Sequence, residues 1–311
     1  MLSYLLRRGA GAVLVLWLVV TISFFLMHWL PGGPFTGEKR LPQAIERNLA
    51  ERYRLGEPIL RQYGAFLAHV IRGDLGPSFR YQGRSVNQLL WEAFPVSATV
   101  GILALSLALW VGIPLGIRGA VGRGSAGDVF IFFLTGLGMS LPTFVLAPLL
   151  LYIFALKLGW LPPALWGGPA HLVLPVLSLA FFPTALITRL VQGSMAAVLA
   201  ADYLNLARAK GLGEKMVLYR HALPNALVPV LAYLGPLTAG ILTGSFVVEG
   251  VFALPGLGEY FVNSIYNRDY GVIMGIALFY SALLVAINLA VDLALAYLDP
   301  RFTLTGRGEG G

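Results

Sequence analysis

Six apolar stretches, at about 9–30, 96–117, 128–156, 171–191, 224–247 and 272–297, dominate this chain of 311 residues. Crossing roughly 30 Å of hydrocarbon takes about 20 helical residues. In that solvent every backbone N–H and C=O must be paired internally, so a run of this kind is expected to be a helix. Only 12% of the residues are charged and 57% are hydrophobic, against about 25% charged in ordinary soluble domains. An all-α membrane protein with six spanning helices is the expected fold. The third stretch is long enough to tilt or to continue outside the bilayer. Pro175, Pro183, Pro229 and Pro236, in the fourth and fifth stretches, would break soluble helices but are tolerated between membrane helices.

Charge then orients the spans. Eleven Lys and Arg fall in the N-terminus, 118–127, 189–221 and the C-terminal tail, whereas 157–170 and 248–271 carry only Lys157 and Arg268. Basic residues accumulate on the cytoplasmic side, which places both termini there. The other nine lie in 31–95, and long loops translocate largely regardless of charge. The net charge of +7 is thus a property of membrane-protein loops and does not call for nucleic acid. Arg7 and Arg8 precede a first apolar stretch too long for a typical cleaved signal, with no small-residue cleavage site after it, so an uncleaved anchor is expected. The absence of cysteine excludes disulfides and thiolate metal sites.

These boundaries divide the chain into 1–30, a cytoplasmic N-terminus and first span; 31–95, an external segment between the first two spans; 96–298, a five-span core; and 299–311, a cytoplasmic tail. Inside 31–95, Ile59, Leu60, Tyr63, Phe66, Leu67, Val70 and Ile71 recur at helical spacing, and Gly73 is placed to end that helix. Its apolar face suits packing onto the outer span ends; a docking surface for an external partner is the second reading. Pro255-Gly256 marks a turn, and the apolar residues around it predict a loop folded back against the spans.

One segment, within the cytoplasmic loop at about 192–223, cannot be a lipid-embedded wall. Arg208, Lys210, Lys215 and Arg220 would each be expensive in hydrocarbon. Leu206, Ala207 and Ala209 favour helix, and Gly211 can end it in a sharp turn. A short helix of this kind, held outside the membrane by its flanking spans, is shaped to dock into a partner.

The segment resembles the cytoplasmic EAA loop of the membrane subunits of ABC importers. The match lies in Ala207, Gly211, Leu223 and Pro224; Asn205, Leu206 and His221 depart from the usual Glu, Ala and Ile. The run Asp202-Tyr203 followed by Ala207-Arg208-Ala209-Lys210-Gly211-Leu212 is similar to the dipeptide/oligopeptide permease branch, where that Glu is usually absent. In the same order as in the first of that branch's two permease subunits come Met1–Arg8, Leu30-Pro31-Gly32, Gly73-Asp74-Leu75-Gly76, Ser140-Leu141-Pro142-Thr143-Phe144, Leu158-Gly159-Trp160-Leu161-Pro162 and Asn288…Asp292…Asp299-Pro300-Arg301. The resemblance implies a type I ABC importer permease in a bacterial or archaeal inner membrane. It implies as partners a second permease subunit, two cytoplasmic ATPase subunits and an external solute-binding protein. It implies coupling residues at Asp202, Tyr203, Ala207, Arg208, Ala209, Lys210, Gly211, Leu212, Leu223 and Pro224. Peptide is the commonest cargo in that branch; nickel, glutathione and oligosaccharides also occur.

Two other classes compete. An intramembrane protease would use Gly138-Met139-Ser140 with His171 or His221 as base, but Gly-x-Ser is common in a chain with 37 glycines. A proton-coupled carrier would need ionisable residues at mid-membrane. Asp292, one helical turn after Asn288, is its best candidate, and it lies close to the interface, as do Asp128 and Arg189. No Gly-Lys dipeptide occurs, hence no P-loop. His28, His69 and His171 have no metal-ligand spacing. No catalytic, cofactor or metal site is therefore assigned.

Overall fold

A computed structural model describes residues 2–29, 56–81, 83–242 and 246–298, and these are almost wholly helical. Leu30-Pro31-Gly32, the first part of the expected external segment and the tail 299–311 lie outside the described residues. The helices are α1 (Leu2–Trp29), α2 (Ile59–Ile71), α3 (Val86–Val121), α4 (Ala126–Ser140), α5 (Thr143–Leu150), α6 (Pro169–Leu199), α7 (Asp202–Ala209), α8 (Glu214–Met216), α9 (Leu223–Ala226), α10 (Val228–Leu242), α11 (Phe246–Val251), α12 (Leu257–Tyr266) and α13 (Tyr270–Leu298). Wider π-helical turns continue α5 through Leu151–Lys157 and α8 through Val217–Ala222. α1, α3, α6, α10 with α11, and α13 are each long and apolar enough to span a bilayer.

The third expected span, 128–156, is two helices. α4 and the α5 segment meet at an angle of 103°. Pro142 has no N–H to continue α4, and it holds Leu141 in extended backbone at φ −82°, ψ 114°. The break between the two helices therefore follows from two residues. α3 begins at Val86, earlier than its apolar stretch, so the last part of 31–95 is already helical.

The chain forms two compact units, and the first combines Met1–Ser97 with Pro255–Val285. Its centre is a polar knot. Asp269, fully buried, accepts hydrogen bonds from Ser78 Oγ at 2.5 Å and from the N–H groups of Phe79 and Arg80 at 3.1 Å each. The same carboxylate accepts from Val272 N at 3.3 Å, capping the first turn of α13. Val86, Leu89, Leu90, Leu257, Val272 and Ile276 form the apolar core beside it. α2 forms where its periodicity predicts and packs through its middle, while Ile59, Leu60 and Ile71 of the expected face are exposed. Tyr63 and Phe66 stack near Phe24, with ring centroids 5.4 and 5.8 Å away, and the Tyr63 hydroxyl pairs with Thr21 at 2.6 Å. Gly73 follows with φ +76°. No residue of α2 is fully buried, so an outer face remains open.

The second unit combines Ala98–Leu254 with Ala286–Gly311. α6 is its axis. Gly112 and Gly116 of α3 lie against α6 so closely that a Cβ at Gly116 would stand 2.6 Å from that of Val191. Gly138 of α4 meets Ala185 of α6 in the same way. Small residues at these crossings let membrane helices approach and gain dispersion contacts that lipid cannot supply. Pro175 and Pro183 remain inside α6, where Ser178 and Thr184 donate to carbonyls one turn back at 2.8 and 2.7 Å. The loop after α11 does fold inward. Phe252 and Leu254 are buried, and Leu165 N donates to Phe252 O at 2.8 Å.

Candidate functional site

α7 is eight residues long, too short to stand alone in water. It is held by Leu204 and Ala207, one turn apart and both buried in the same apolar core as Val191, Met195, Val217, Ala222 and Ala226. Leu212 and Leu223 pack against that core from its margin. Asp202 sits in the first turn, where its charge complements the helix dipole.

The stop is a Schellman motif. Gly211 N donates to Arg208 O at 2.9 Å and Leu212 N to Ala207 O at 3.3 Å, with Gly211 at φ +80°. Nothing lies within 4 Å of a Cβ placed on Gly211. Glycine is needed there for its backbone conformation alone. Arg208 then closes the turn, its Nε donating to Glu214 Oε1 at 3.0 Å and its Nη1 to Asn205 Oδ1 at 3.2 Å.

A second tie joins α7 to the foot of α10. The Tyr203 hydroxyl donates to His221 O at 3.3 Å and accepts from Asn225 Nδ2 at 2.9 Å. Pro224 cannot donate to Arg220 O, and the chain before it widens into a π turn rather than a regular helix. Ser194 Oγ of α6 donates to Ala226 O at 2.6 Å. These bonds tie α7 to α9, and α9 to α6. Beside the Tyr203–Asn225 contact lies an open notch of about 510 Å³, walled by Ala197, Val198 and Ala201.

The ten residues named for coupling therefore divide into two sets. Ala207, Leu212 and Leu223 face the core and seat the helix, while Gly211 shapes its end. Asp202, Tyr203, Ala209, Lys210 and Pro224 are exposed, and Arg208 is half-buried. The outward surface also includes Leu206, Met216 and Tyr219 beside Lys215 and Arg220, an apolar and cationic mixture that only the folded segment assembles. Glu214 and Asn225 were absent from the sequence-based set. Their signal was weak, because each acts through a partner on a different element.

Among the described residues the protease candidates stand on separate elements. Ser140 ends α4 at the bend, His171 stands in the first turn of α6, and His221 lies beyond α7 in the π turn.

Residues 112–304 match the family described as binding-protein-dependent transport system inner membrane component. The chain belongs to that family. Residues 1–100 match the corresponding N-terminal family of such membrane components. The chain is 42% identical over 303 residues to the oligopeptide transport system permease protein OppB of Escherichia coli (strain K12), covering 97% of this chain and 99% of that one. It is 43% identical over 308 residues to the dipeptide transport system permease protein DppB of Bacillus subtilis (strain 168), covering 99% and 100%. Among solved structures, an inward-facing MetNI methionine ABC transporter chain superposes with a TM-score of 0.56 at 16% identity, covering 68% of this chain and 97% of that chain. A second crystal form of it gives 0.58. The fold is that of type I ABC importer permeases. A member of this family is a multi-pass transport permease of the inner membrane, and the carrier and protease readings find no support in it.

Proposed function

We propose that this permease conducts di- or oligopeptides inward, driven by ATP hydrolysis on two separate cytoplasmic ATPase subunits. It pairs with a second permease subunit and receives its cargo from an external solute-binding protein. The chain itself hydrolyses nothing. The α7 surface is the contact with one ATPase subunit. The observation that carries this reading is α7 itself, a short helix seated on the core by Leu204 and Ala207 and closed at Gly211, with a cationic and aromatic face turned outward. A helix tied to α6 and α10 moves its spans as a lever, whereas a loose loop would dissipate the motion. The near-complete match to oligopeptide and dipeptide permeases supports the cargo class.

This reading puts both termini, the 192–223 loop and α7 in the cytoplasm, and 31–95 outside. The tail 299–311 is then cytoplasmic.

One reconstitution tests the assignment. Vesicles holding the chain with its paired permease, ATPase subunits and binding protein should accumulate labelled peptide only when ATP is supplied. The chain alone should neither hydrolyse ATP nor move peptide along a proton gradient. Proton-driven uptake by the isolated chain would overturn it. The same vesicles report sidedness. The chain has no native cysteine, so Tyr266→Cys and Lys215→Cys, both at exposed positions, can be labelled singly. An impermeant thiol reagent should reach the first from outside and miss the second.

A further inference from the structure

Where α3, α4 and α6 approach one another in the second unit, a pocket of about 240 Å³ is lined by Gly119, Arg123, Asp128, Arg189, Gln192 and Gly193. Two guanidinium groups face a single carboxylate there. That carboxylate is already committed, since Asp128 Oδ1 accepts from Gln192 Nε2 at 2.6 Å and Oδ2 from Gly124 N at 2.9 Å. Arg189 is partly committed as well. Its Nε donates to Thr135 Oγ1 at 2.8 Å, one Nη to Phe132 O at 3.2 Å, and its guanidinium carbon lies 4.0 Å from the centre of the Phe132 ring. The remaining N–H groups of Arg189 have no protein acceptor among the described residues. Arg123 makes no hydrogen bond or ion pair among them at all. The site is thus a net cationic pocket with spare donors.

The pocket lies at the ends of the apolar stretches, just past Val121 of α3, just before Val129 of α4, and at the α7 end of α6. The exposed ring of Phe132, packed against Arg189, borders it, and Val129, Phe130 and Phe133 leave further exposed apolar surface on the first turns of α4. A ligand seated here would place an anion among the arginines and an apolar body along those rings. Basic pockets between spanning helices at the headgroup level suit anionic lipid headgroups. Gly119 and Gly193 leave room at the wall, and a Cβ on Gly119 would stand 2.9 Å from Gln192 Nε2.

We propose that this pocket binds the phosphodiester headgroup of an anionic phospholipid in the leaflet that borders α7. Arg123 is the free contact and Arg189 the fixed one. The bound lipid would brace the α3–α4 turn against the end of α6 that leads into α7. This goes beyond the transport reading and does not depend on which solute is carried.

Spin-labelled lipids test it on the purified complex containing the full chain. The fraction of phosphatidylglycerol immobilised by the protein should exceed that of phosphatidylcholine with the same acyl chains. Arg123→Gln should lower the phosphatidylglycerol preference about five-fold, the scale of one basic residue near an anionic surface. Arg123→Lys should keep most of it. Arg72→Gln, a charge removed from the external segment, should leave it unchanged. Equal association of the two lipids with the wild-type complex would overturn the proposal. So would an undiminished preference in Arg123→Gln, or displacement of the lipid by millimolar inorganic phosphate, which would make the site one for the free anion.

Discussion

The knot around Asp269 and the turn around Gly211 are both polar, yet they are built on opposite principles. Asp269 is fully buried, and its carboxylate takes three donors from the distant 78–80 segment and a fourth from Val272, one turn on. Removing it would leave the buried Ser78 hydroxyl and the Val272 N–H without that acceptor. At the α7 turn, Arg208 and Glu214 keep side-chain exposures of 34% and 76%, so solvent screens their attraction. The first arrangement locks one structure; the second leaves side chains that a partner can recruit at little cost. The proposed docking role of α7 uses the second kind, because a contact face must stay available to its partner.

The largest predicted effect breaks the first half of that contrast. Asp269→Ala leaves the hydroxyl of Ser78 and the N–H groups of Phe79 and Val272 without this acceptor, while Arg80 N keeps Ser78 Oγ at 3.2 Å, at about 1–3 kcal/mol for each donor that stays buried and unpaired. A loss of ~3 kcal/mol or more is expected, seen as a lowered Tm and poor recovery of folded protein. Asp269→Asn, which keeps one oxygen, should fall between. A variant as stable as the parent would show that the knot is not structural.

Gly211 comes next and separates backbone shape from side-chain contact. Its φ of +80° disfavours any L-residue, although no atom crowds the position. Gly211→Val should destabilise the turn by roughly 1–2 kcal/mol. It should insert normally, co-purify with less ATPase subunit and lose most ATP-dependent uptake. Gly211→Asn, which tolerates this conformation, should retain much of it. Full uptake by the valine variant would remove the lever from the mechanism.

The smallest effect lies at an exposed carboxylate in the first unit, and it shows whether exposure rather than location decides the outcome. Asp74 is held below its ordinary pKa mainly by the hydrogen bond from Gly76 N, at 2.9 Å, with His69 adding a further share. A depressed pKa means that the carboxylate stabilises the fold above its unfolded value and loses that effect as pH falls through the folded one. As pH falls below the ordinary carboxylate range, about pH 4, the Gly76 amide should lose protection in hydrogen exchange, a small step absent from Asp74→Asn. A large cooperative unfolding there, cured by the asparagine, would put Asp74 in the same class as Asp269.

Much of this architecture was legible along the chain. The long spans follow from apolar length, α2 from its period with Gly73 behind it, and the stop of α7 from a single glycine. Each is a local property, decided within one or two helical turns by backbone pairing, side-chain period or allowed φ. The resemblance added the ten coupling positions but did not distinguish those that seat the helix from those that face outward. That division depends on which side of α7 meets Val191, Met195 and Val217, residues on two other elements.

The third stretch shows the boundary between the two kinds of information. Pro142 announces a disturbance, and its lack of an N–H explains why α4 ends. The 103° turn between the halves is a matter of what α4 and α5 pack against, and periodicity carries no record of it. The GxxxG spacing of Gly112 and Gly116 could have been read as a close helix contact; which helix it meets could not. Most distant of all is Asp269, whose carboxylate finds Ser78 across 191 positions of chain. By itself the sequence determined where helices form, where they stop and which residues cannot face lipid, because those are free energies of one segment in its solvent. The tertiary structure alone decided which donors reach Asp269, which arginines share a pocket and which face of α7 stays free, because those are free energies of contact between segments that meet only after folding.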